Sequence, residues 1–537
     1  MKLTVSDFYD VLVIGSGIAG LSAAVEAAQR GCSTAIVCNG PLFSGSSFYP
    51  GTWGFGLVGP ENKEDEEDLI QTVCSVGCGI PEPELVDSFI RGINPAIDRL
   101  KALGCRPKKA DNTSQREYIP CFDHKHRNWN GLEAPEIRRV FTEQIEKYHI
   151  RVLENCSILD IVKMENRISG ILTQHQEQIR YIGCGALILA TGGYGSLFKY
   201  HLCPDTVTGI GQFLALKAGC SLVNMEFMQM MLGFIEPARN TIFNEKTFRF
   251  AHFRKVDGTP LFSDSEADLL DLRSGYGPFT SRLPSSLIDQ KIHREFLDSG
   301  RGVTFSYADS ISENTPEFIQ VYFDWLQEAK GISSGDTIQV ALFSHAANGG
   351  IQIDTKAKTG IPGLFACGEV TGGMHGADRI GGLSTANCLV FGQRAGISAA
   401  DYVSKLDSKH QNTAEYDYCP LIFENPEAIR QLLKDSMYQN AFALRNGDGL
   451  SAAIREISAL LSSGKRQSQA CASEILSSAT AEASLTISLC ILKAALLREE
   501  SRGSHFREDF PAPNSDMDRP ISLCLKDNTV TAEFRKV

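Results

Sequence analysis

Residues 10–31 read DVLVIGSGIAGLSAAVEAAQRG, and this stretch decides the fold. Asp10–Ile14 is a short, mostly apolar run, as a strand covered on both faces requires. Gly15, Gly17 and Gly20 follow at the spacing G-x-G-x-x-G, and Leu21–Gln29 is rich in Ala with helical periodicity. Gly31 stops that helix, and Thr34–Val37 is a second apolar run. Each glycine has its own task. Gly15 makes the tight turn, Gly17 lets the backbone approach a pyrophosphate, and Gly20 lets helix and strand pack closely. The helix N-terminus turns the positive end of its dipole to the phosphates. Strand, loop, helix and second strand in register predict a dinucleotide-binding unit within the first 40 residues. The acidic residue that commonly holds a ribose after the second strand is replaced by Cys38-Asn39. Asn39 or a backbone group must take that contact, and NAD loses support.

Two more segments extend the unit. ALILATGG at 186–193 is an apolar strand ending in small residues, including Thr191 and Gly192. GLFACGE at 363–369 is strand-like and ends on Glu369. A carboxylate at a strand's C-terminal end is placed for a ligand by the switch-point rule for parallel sheets. A nucleotide fold whose last strand returns so far downstream is discontinuous. The expected fold class is therefore α/β, with a Rossmann-like domain over 1–225 and 341–405. An α+β capping domain is inserted over 226–340, and a helical domain follows over 406–537. Helical patterns run at Ala428–Leu433, Leu450–Ser462 and Ala470–Arg498.

Composition narrows the function. The chain has 537 residues, enough for three or four domains or one large interrupted fold. Lys+Arg 52 against Asp+Glu 64 gives a net charge of −12, so no nucleic-acid partner is expected, because phosphate neutralisation dominates that affinity. Sixteen cysteines are scattered without a CxxC pair or a Cys/His cluster at zinc or iron–sulfur spacing. They read as free thiols in a reducing cytosol, with no metal expected. The N-terminal MKLTVSDFYD runs straight into a strand, leaving no room for a leader. The apolar stretches at 186–191 and 227–235 fall short of the roughly 18 residues a membrane helix needs. A cytoplasmic protein with no transmembrane segment is expected.

Four ordered motifs resemble the fumarate reductase and succinate dehydrogenase flavoprotein family, in layout the L-aspartate oxidases above all. GSSFYPG at 45–51 is similar to the flavin-contacting loop G-S-T-F-Y-A-Q-G-G. Ala190–Gly193 matches A-T-G-G. GEVTGGMHGADRIGGLS at 368–384 is similar to G-E-V-T-G-G-x-H-G-x-N-R-x-G-G-N-S. ESRGSHFREDFP at 500–511 is similar to E-S-R-G-x-H-x-R-x-D-x-P. The resemblance spans Tyr9 to Pro511. It implies FAD, held without a covalent bond, since Phe48, Tyr49 and Pro50 stand where members that attach FAD carry a His. It further implies that Ser46, Ser47 and Gly51 face the flavin, that Glu369 bonds the ribityl or ribose hydroxyls, and that Ser384 helps hold the isoalloxazine.

The resemblance also implies a reaction: hydride transfer between flavin N5 and a carbon beside a carboxylate, with a proton moving on the opposite face. Three residues are carried over as catalytic. Arg379 and His345, the latter in SHAANGGI at 344–351, would clamp a carboxylate, and Arg282, in GPFTSR at 277–282, would handle the proton. A guanidinium offers two parallel donors to a carboxylate but is effectively never neutral, so an Arg in a proton path needs close carboxylates.

There are departures. EFMQMMLG at 226–233 replaces E-F-x-Q-F-H-P-T, so Met231, Leu232 and Gly233 stand at the positions of a His-Pro-Thr clamp. An unpaired buried carboxylate there would cost about 1–3 kcal/mol, which favours a monocarboxylate or enone as an alternative substrate. Met228, Met230 and Met231 can also be plain core. Gly209-Ile210-Gly211 replaces G-D-G. REYIPCFDHKHR at 116–127 resembles R-E-G-G-H-S-H-R-R with an insertion, which puts Glu117, a candidate for sensing an amine, out of place. A weaker alternative is a non-catalytic flavoprotein component. The electron donor or acceptor is external, and a partner electron-transfer subunit is a candidate.

Overall fold

The quoted stretch forms the centre of a seven-stranded sheet in the computed structural model, which describes residues 1–53, 55–109, 114–308, 311, 315–406 and 415–535. Strand β1 is Val5–Ile14, longer at its start than the apolar run because residues 5–9 pair along a neighbouring strand. Helix α1 is Ile18–Gln29 and begins three residues before the Ala-rich periodicity, capped by Gly17. Then come β2 (Thr34–Val37), β3 (Arg151–Leu153), β4 (Cys156–Met164), β5 (Arg167–His175) and β6 (Gln178–Leu189). The order is β3-β2-β1-β6-β5-β4. Strands β1, β2, β3 and β6 run parallel, while β4 and β5 fold back antiparallel at one edge. Val11–Ile14 and Ala186–Leu189 are buried on both faces, as their unbroken apolar runs require.

Helix α2 (Ile210–Ala218) and the short β7 (Leu222–Val223) lead into the capping region. There β8 (Met228–Glu236), β9 (Thr241–Ile242), β10 (Ala251–Arg254), β11 (Val303–Tyr307) and β12 (Ile338–Ala347) form an antiparallel sheet in the order β9-β8-β12-β11-β10. Its interior is aromatic: Phe243, Phe253, Phe305 and Tyr307 meet with ring centroids 5.1–6.4 Å apart. Strand β12 runs through the expected boundary at 340/341, because residues 341–347 still pair with Met228–Gly233. The chain then re-enters the nucleotide fold through β13 (Gly350–Gln352), β14 (Leu364–Ala366), β15 (Thr371–Gly372) and α3 (Leu383–Val403). Strand β14 adds parallel to β6 in the first sheet, as the late strand-like segment predicted.

The C-terminal part holds α4 (Pro426–Asn440), α5 (Gly447–Ser462) and α6 (Ala472–Leu497). It is not helical throughout. Strands β16 (Ile521–Lys526) and β17 (Thr529–Phe534) form a hairpin that pairs with β7, giving a third sheet in the order β15-β13-β7-β16-β17. Helix α6 also corrects the count of apolar stretches. By length and composition it could cross a membrane, yet 78% of its most apolar window is buried within the fold. All sixteen cysteines are free thiols.

Candidate functional site

Three backbones converge at the C-terminal end of β1, and glycine is what lets them. Gly15 has φ +109°, and a Cβ there would lie 2.3 Å from the Ala190 carbonyl oxygen. A Cβ on Gly20 would lie 2.0 Å from the Gly15 carbonyl oxygen. The third backbone is the 45–47 loop, whose Ser47 Oγ accepts a hydrogen bond from the Ile18 amide at 3.2 Å. Between them lies a cavity of about 370 Å³. Gly15, Gly17, Asn39, Ser46 and Ser47 line it together with Thr191, Gly192 and Glu369. Gly20 sits one turn behind, in the packing role expected of it.

The lining suits a polyhydroxylated, phosphate-bearing ligand. Ser46 Oγ and Thr191 Oγ1 are buried with no hydrogen-bond partner among the described residues. Such groups cost free energy unless something meets them. Gly211 is needed beneath Thr191, since a Cβ there would fall 2.0 Å from Thr191 Oγ1. Burial pushes the Glu369 carboxyl up, opposed by hydrogen bonds from the Ala347 and Gly193 amides and by the Arg379 charge. The Ala347 amide donates to Glu369 Oε1 at 2.9 Å. Asn39 Oδ1 accepts from Ser157 Oγ, which fixes the amide at the far end of the cavity. Asp205 and Arg430 also line it, and the motif reading missed both. Nothing in the local sequence marks them, for they arrive from a loop and from α4.

Two expected ligands stand apart from this cavity. Gly51 is packed on the cap: a Cβ would lie 2.1 Å from the Asn240 carbonyl oxygen, and the Ile242 amide donates to Gly51 O at 2.9 Å. Ser384 occupies the first turn of α3, whose N-cap is Gly382 at φ +79°.

A polar cluster lies beyond Glu369. Arg379 is buried, with Nη1 donating to the Ile380 carbonyl at 3.3 Å and Nε without a partner among the described residues. Burial lowers its pKa, with Glu369 opposing. His345, on β12, has an Nδ1 without a partner among the described residues, and burial together with the Arg379 charge pushes its pKa down to about 3. The ring is neutral at physiological pH. His375 shares that environment and that value, about 3. Gln229 Nε2 donates to the Arg379 carbonyl at 2.9 Å, tying β8 to the same loop.

Arg282 reaches this cluster through a neighbour. Its Nε donates to Asp378 Oδ2 at 2.9 Å, and Thr280 Oγ1 donates to the same oxygen at 2.7 Å. Asp378 is 1% exposed, and its Oδ1 has no partner among the described residues. Burial pushes its carboxyl up to about 6, with Arg282 and Thr280 pulling the other way. The structure thus brings together Arg282, Arg379 and His345. It adds Asp378, His375 and Gln229, which the motif reading did not single out. A signal for Asp378 was present, since it stands where the family pattern has Asn.

The departures from the family pattern have physical reasons. Met228 and Met230 are core residues, 1% and 0% exposed, whereas Met231 keeps 8%. Leu232 is fully buried. Gly233 lies under the Phe343 ring, 2.6 Å from a Cβ placed there. Glu117 is buried in an ion pair with Arg249 at 2.7 Å, which joins the body to the cap. His126 Nε2 lies 2.9 Å from the Gln115 carbonyl oxygen, and no group of three His, Cys, Asp or Glu among the described residues could hold a metal. The C-terminal motif braces the site from behind. The Ser281 amide donates to Gly503 O at 2.7 Å, and Ser504 Oγ donates to Ala377 O at 3.1 Å, so one turn touches both arginine-bearing loops.

Comparison with known proteins bears on the family, the fold and the cofactor. The family model for an FAD binding domain matches residues 10–251 and 282–385, and that for the fumarate reductase flavoprotein C-terminus matches 430–537. L-aspartate oxidase from Streptomyces coelicolor is 27% identical over 531 residues, covering 93% of this chain and 88% of that protein. A fumarate reductase (CoM/CoB) subunit from Methanothermobacter marburgensis is 27% identical over 564 residues, covering 96% of this chain and 97% of that protein. Among solved structures, the Mycobacterium smegmatis Sdh1 complex in the apo form matches with a TM-score of 0.80 at 24% identity, covering 98% of this chain and 94% of that one. At that identity the likeness concerns the fold.

Proposed function

We propose, for a chain that belongs to the fumarate reductase and succinate dehydrogenase family of FAD flavoproteins, a hydride transfer to or from a carbon adjacent to a substrate carboxylate. The protein is an FAD-dependent oxidoreductase, and its relatives are named enzymes, so the reading as a non-catalytic component is set aside. FAD supplies the hydride acceptor or donor at N5 when bound. Ser46, Thr191, Glu369 and the Gly15–Gly20 loop would hold it. No His stands among Phe48, Tyr49 and Pro50, which supports non-covalent attachment.

The observation that carries the reaction is a buried, incompletely partnered Arg379 beside two neutral histidines. A buried guanidinium with a free Nε–H is costly unless an anion meets it, and a carboxylate is the planar anion its fork fits. Neutral His345 and His375 can donate or accept without adding charge. Arg282 stays charged throughout, and the proton is held at Asp378 Oδ1, where the pKa of about 6 allows both forms near neutrality. A monocarboxylate or enone remains the second reading. Met231, Leu232 and the Phe343-covered Gly233 provide no donor where a second carboxylate would be gripped. Electrons would pass to or from a separate donor, acceptor or partner protein, since the sequence has no CxxC or CxxCH site for a cluster or haem.

Anaerobic reoxidation tests the proposal. The holoenzyme is reduced with dithionite, freed of excess, and mixed with fumarate, then with unsaturated monocarboxylates. Rapid return of the flavin band with fumarate supports the dicarboxylate reaction. Return only with monocarboxylates supports the second reading, and silence with every acid refutes both.

A further inference from the structure

A second cavity, about 390 Å³, lies where three parts of the fold meet. Lys199 and His201 enter it from the body, Arg239 from the β8–β9 turn of the cap, and Lys434 from α4. Asp205 is the one carboxylate lining it among the described residues. We propose that this pocket binds an organic phosphate, with Lys199, Arg239 and Lys434 as its charged donors. This does not depend on the reaction proposed above.

The site already stabilises anionic oxygen. His201 is 4% exposed, with Nδ1 2.8 Å from the Cys203 carbonyl oxygen and Nε2 3.2 Å from Asp205 Oδ1, so both ring nitrogens face acceptors. Lys434 Nζ lies 3.1 Å from the same carboxylate oxygen. His201 first, and then Lys434, hold the Asp205 carboxyl far below its ordinary value. Asp205 nonetheless leaves its side chain 76% exposed, so it occupies the rim and not the depth of the pocket. Lys199 is partly neutralised by Asp435 at 2.9 Å. Arg239 has no carboxylate partner among the described residues, and its guanidinium lies 5.6 Å above the Tyr200 ring. Lys434 and Lys199 are thus each paired with a carboxylate, and among the described residues the positive charge of Arg239 is left unmet.

Phosphate fits better than carboxylate. Three cationic donors approaching from three segments match a tetrahedral dianion, whereas a planar monoanion would engage only part of them. The cavity is also larger than a bare phosphate group, leaving room for an organic body. Asp205 lines the dinucleotide cavity as well, so the two cavities share a side chain.

The test is titration calorimetry of the holoenzyme with pyrophosphate in phosphate-free, low-salt buffer, with succinate as the carboxylate arm. FAD then fills its own site, and the Arg239 and Lys199 variants separate this pocket from the carboxylate site at Arg379. One equivalent of pyrophosphate should bind with a Kd below about 1 mM. Arg239→Gln, at an exposed position without an ion pair, should retain its flavin spectrum and weaken that binding about tenfold. Lys199→Gln should do the same. No binding, native-strength binding by both variants, or succinate binding that these variants weaken as much as they weaken pyrophosphate binding would overturn the assignment.

Discussion

Asp378→Asn separates two tasks of one buried carboxyl. The substitution keeps the shape and lets Asn accept the Thr280 hydrogen bond, but it removes the charge that Arg282 Nε meets at 2.9 Å. Losing a hydrogen bond to a charged partner costs about 1.5–3 kcal/mol. If that bond holds Arg282 where the proton is delivered, the chemical step slows about 10- to 150-fold. The second effect is on pH. Burial raises the Asp378 carboxyl from its ordinary 3.8 to about 6. The folded state therefore binds this proton more tightly than the unfolded chain does. The stability it contributes is complete below about pH 4 and is lost as pH rises through about 6, amounting to about 3 kcal/mol at 1.36 kcal/mol per tenfold change in proton affinity. Stopped-flow reoxidation of reduced holoenzyme by fumarate from pH 5 to 8, paired with thermal melts, reads both. Native enzyme should show an inflection near pH 6. The variant should lose the inflection, the pH slope of its melting temperature, and the stated rate. A variant with native rate and an unchanged inflection refutes the role of the Arg282–Asp378 pair.

Gly15→Ala places a methyl 2.3 Å from the Ala190 carbonyl oxygen at φ +109°, so the purified protein should come without its yellow colour, read as the flavin-to-protein absorbance ratio. Arg498→Met strips the Glu226 carboxylate of its 2.8 Å partner in a fully buried network and should destabilise by about 3–5 kcal/mol in denaturant melts, with Glu226→Gln/Arg498→Met recovering part of that loss. Gly233→Thr should cost about 1–3 kcal/mol by driving a Cβ into the Phe343 ring, and Phe343→Ala in the same chain should relieve it. Ser504→Ala removes the side-chain bond to Ala377 O while the backbone bond remains, so stability should fall by about 1 kcal/mol and reoxidation should slow only modestly.

The nucleotide half of the fold was legible because its constraints are local. Gly15 and Gly20 are glycines on account of atoms within the motif and at the end of β6, and the spacing carries that information. Gly51 shows the opposite. Its need for glycine comes from the Asn240 carbonyl, nearly two hundred residues away, so the loop motif could mark the glycine but not the neighbour that demands it. The β16–β17 hairpin was readable in principle. Asp527 and Asn528 both adopt positive φ, 49° and 59°, between two alternating runs, a strong short-range turn signal that the helical pattern upstream overshadowed. The extent of helix α6 was legible, but Ser, Thr and Ala dilute its apolar run, and only the fold reveals that it is wrapped nearly all round. Asp378 differs from the family pattern by one residue type. A single letter cannot show that the carboxylate is buried, paired and half-satisfied.

The Met231–Gly233 departure shows how a loss read from sequence becomes a replacement in the structure. The sequence shows donors disappearing and implies a vacant grip. The structure puts the Phe343 ring over Gly233, directly across from Met231 in the β8–β12 register. A threonine at 233 would meet the Phe343 ring in this sheet, so one of the two must shift. The change is therefore a coupled pair, glycine making room for the ring and the ring closing the space a hydroxyl would occupy. Restoring the clamp by one substitution should therefore cost packing energy on top of any change in chemistry. Any shift in substrate preference belongs to both positions together, and a double-mutant cycle at 233 and 343 should show interaction well above the few tenths of a kcal/mol expected of independent sites.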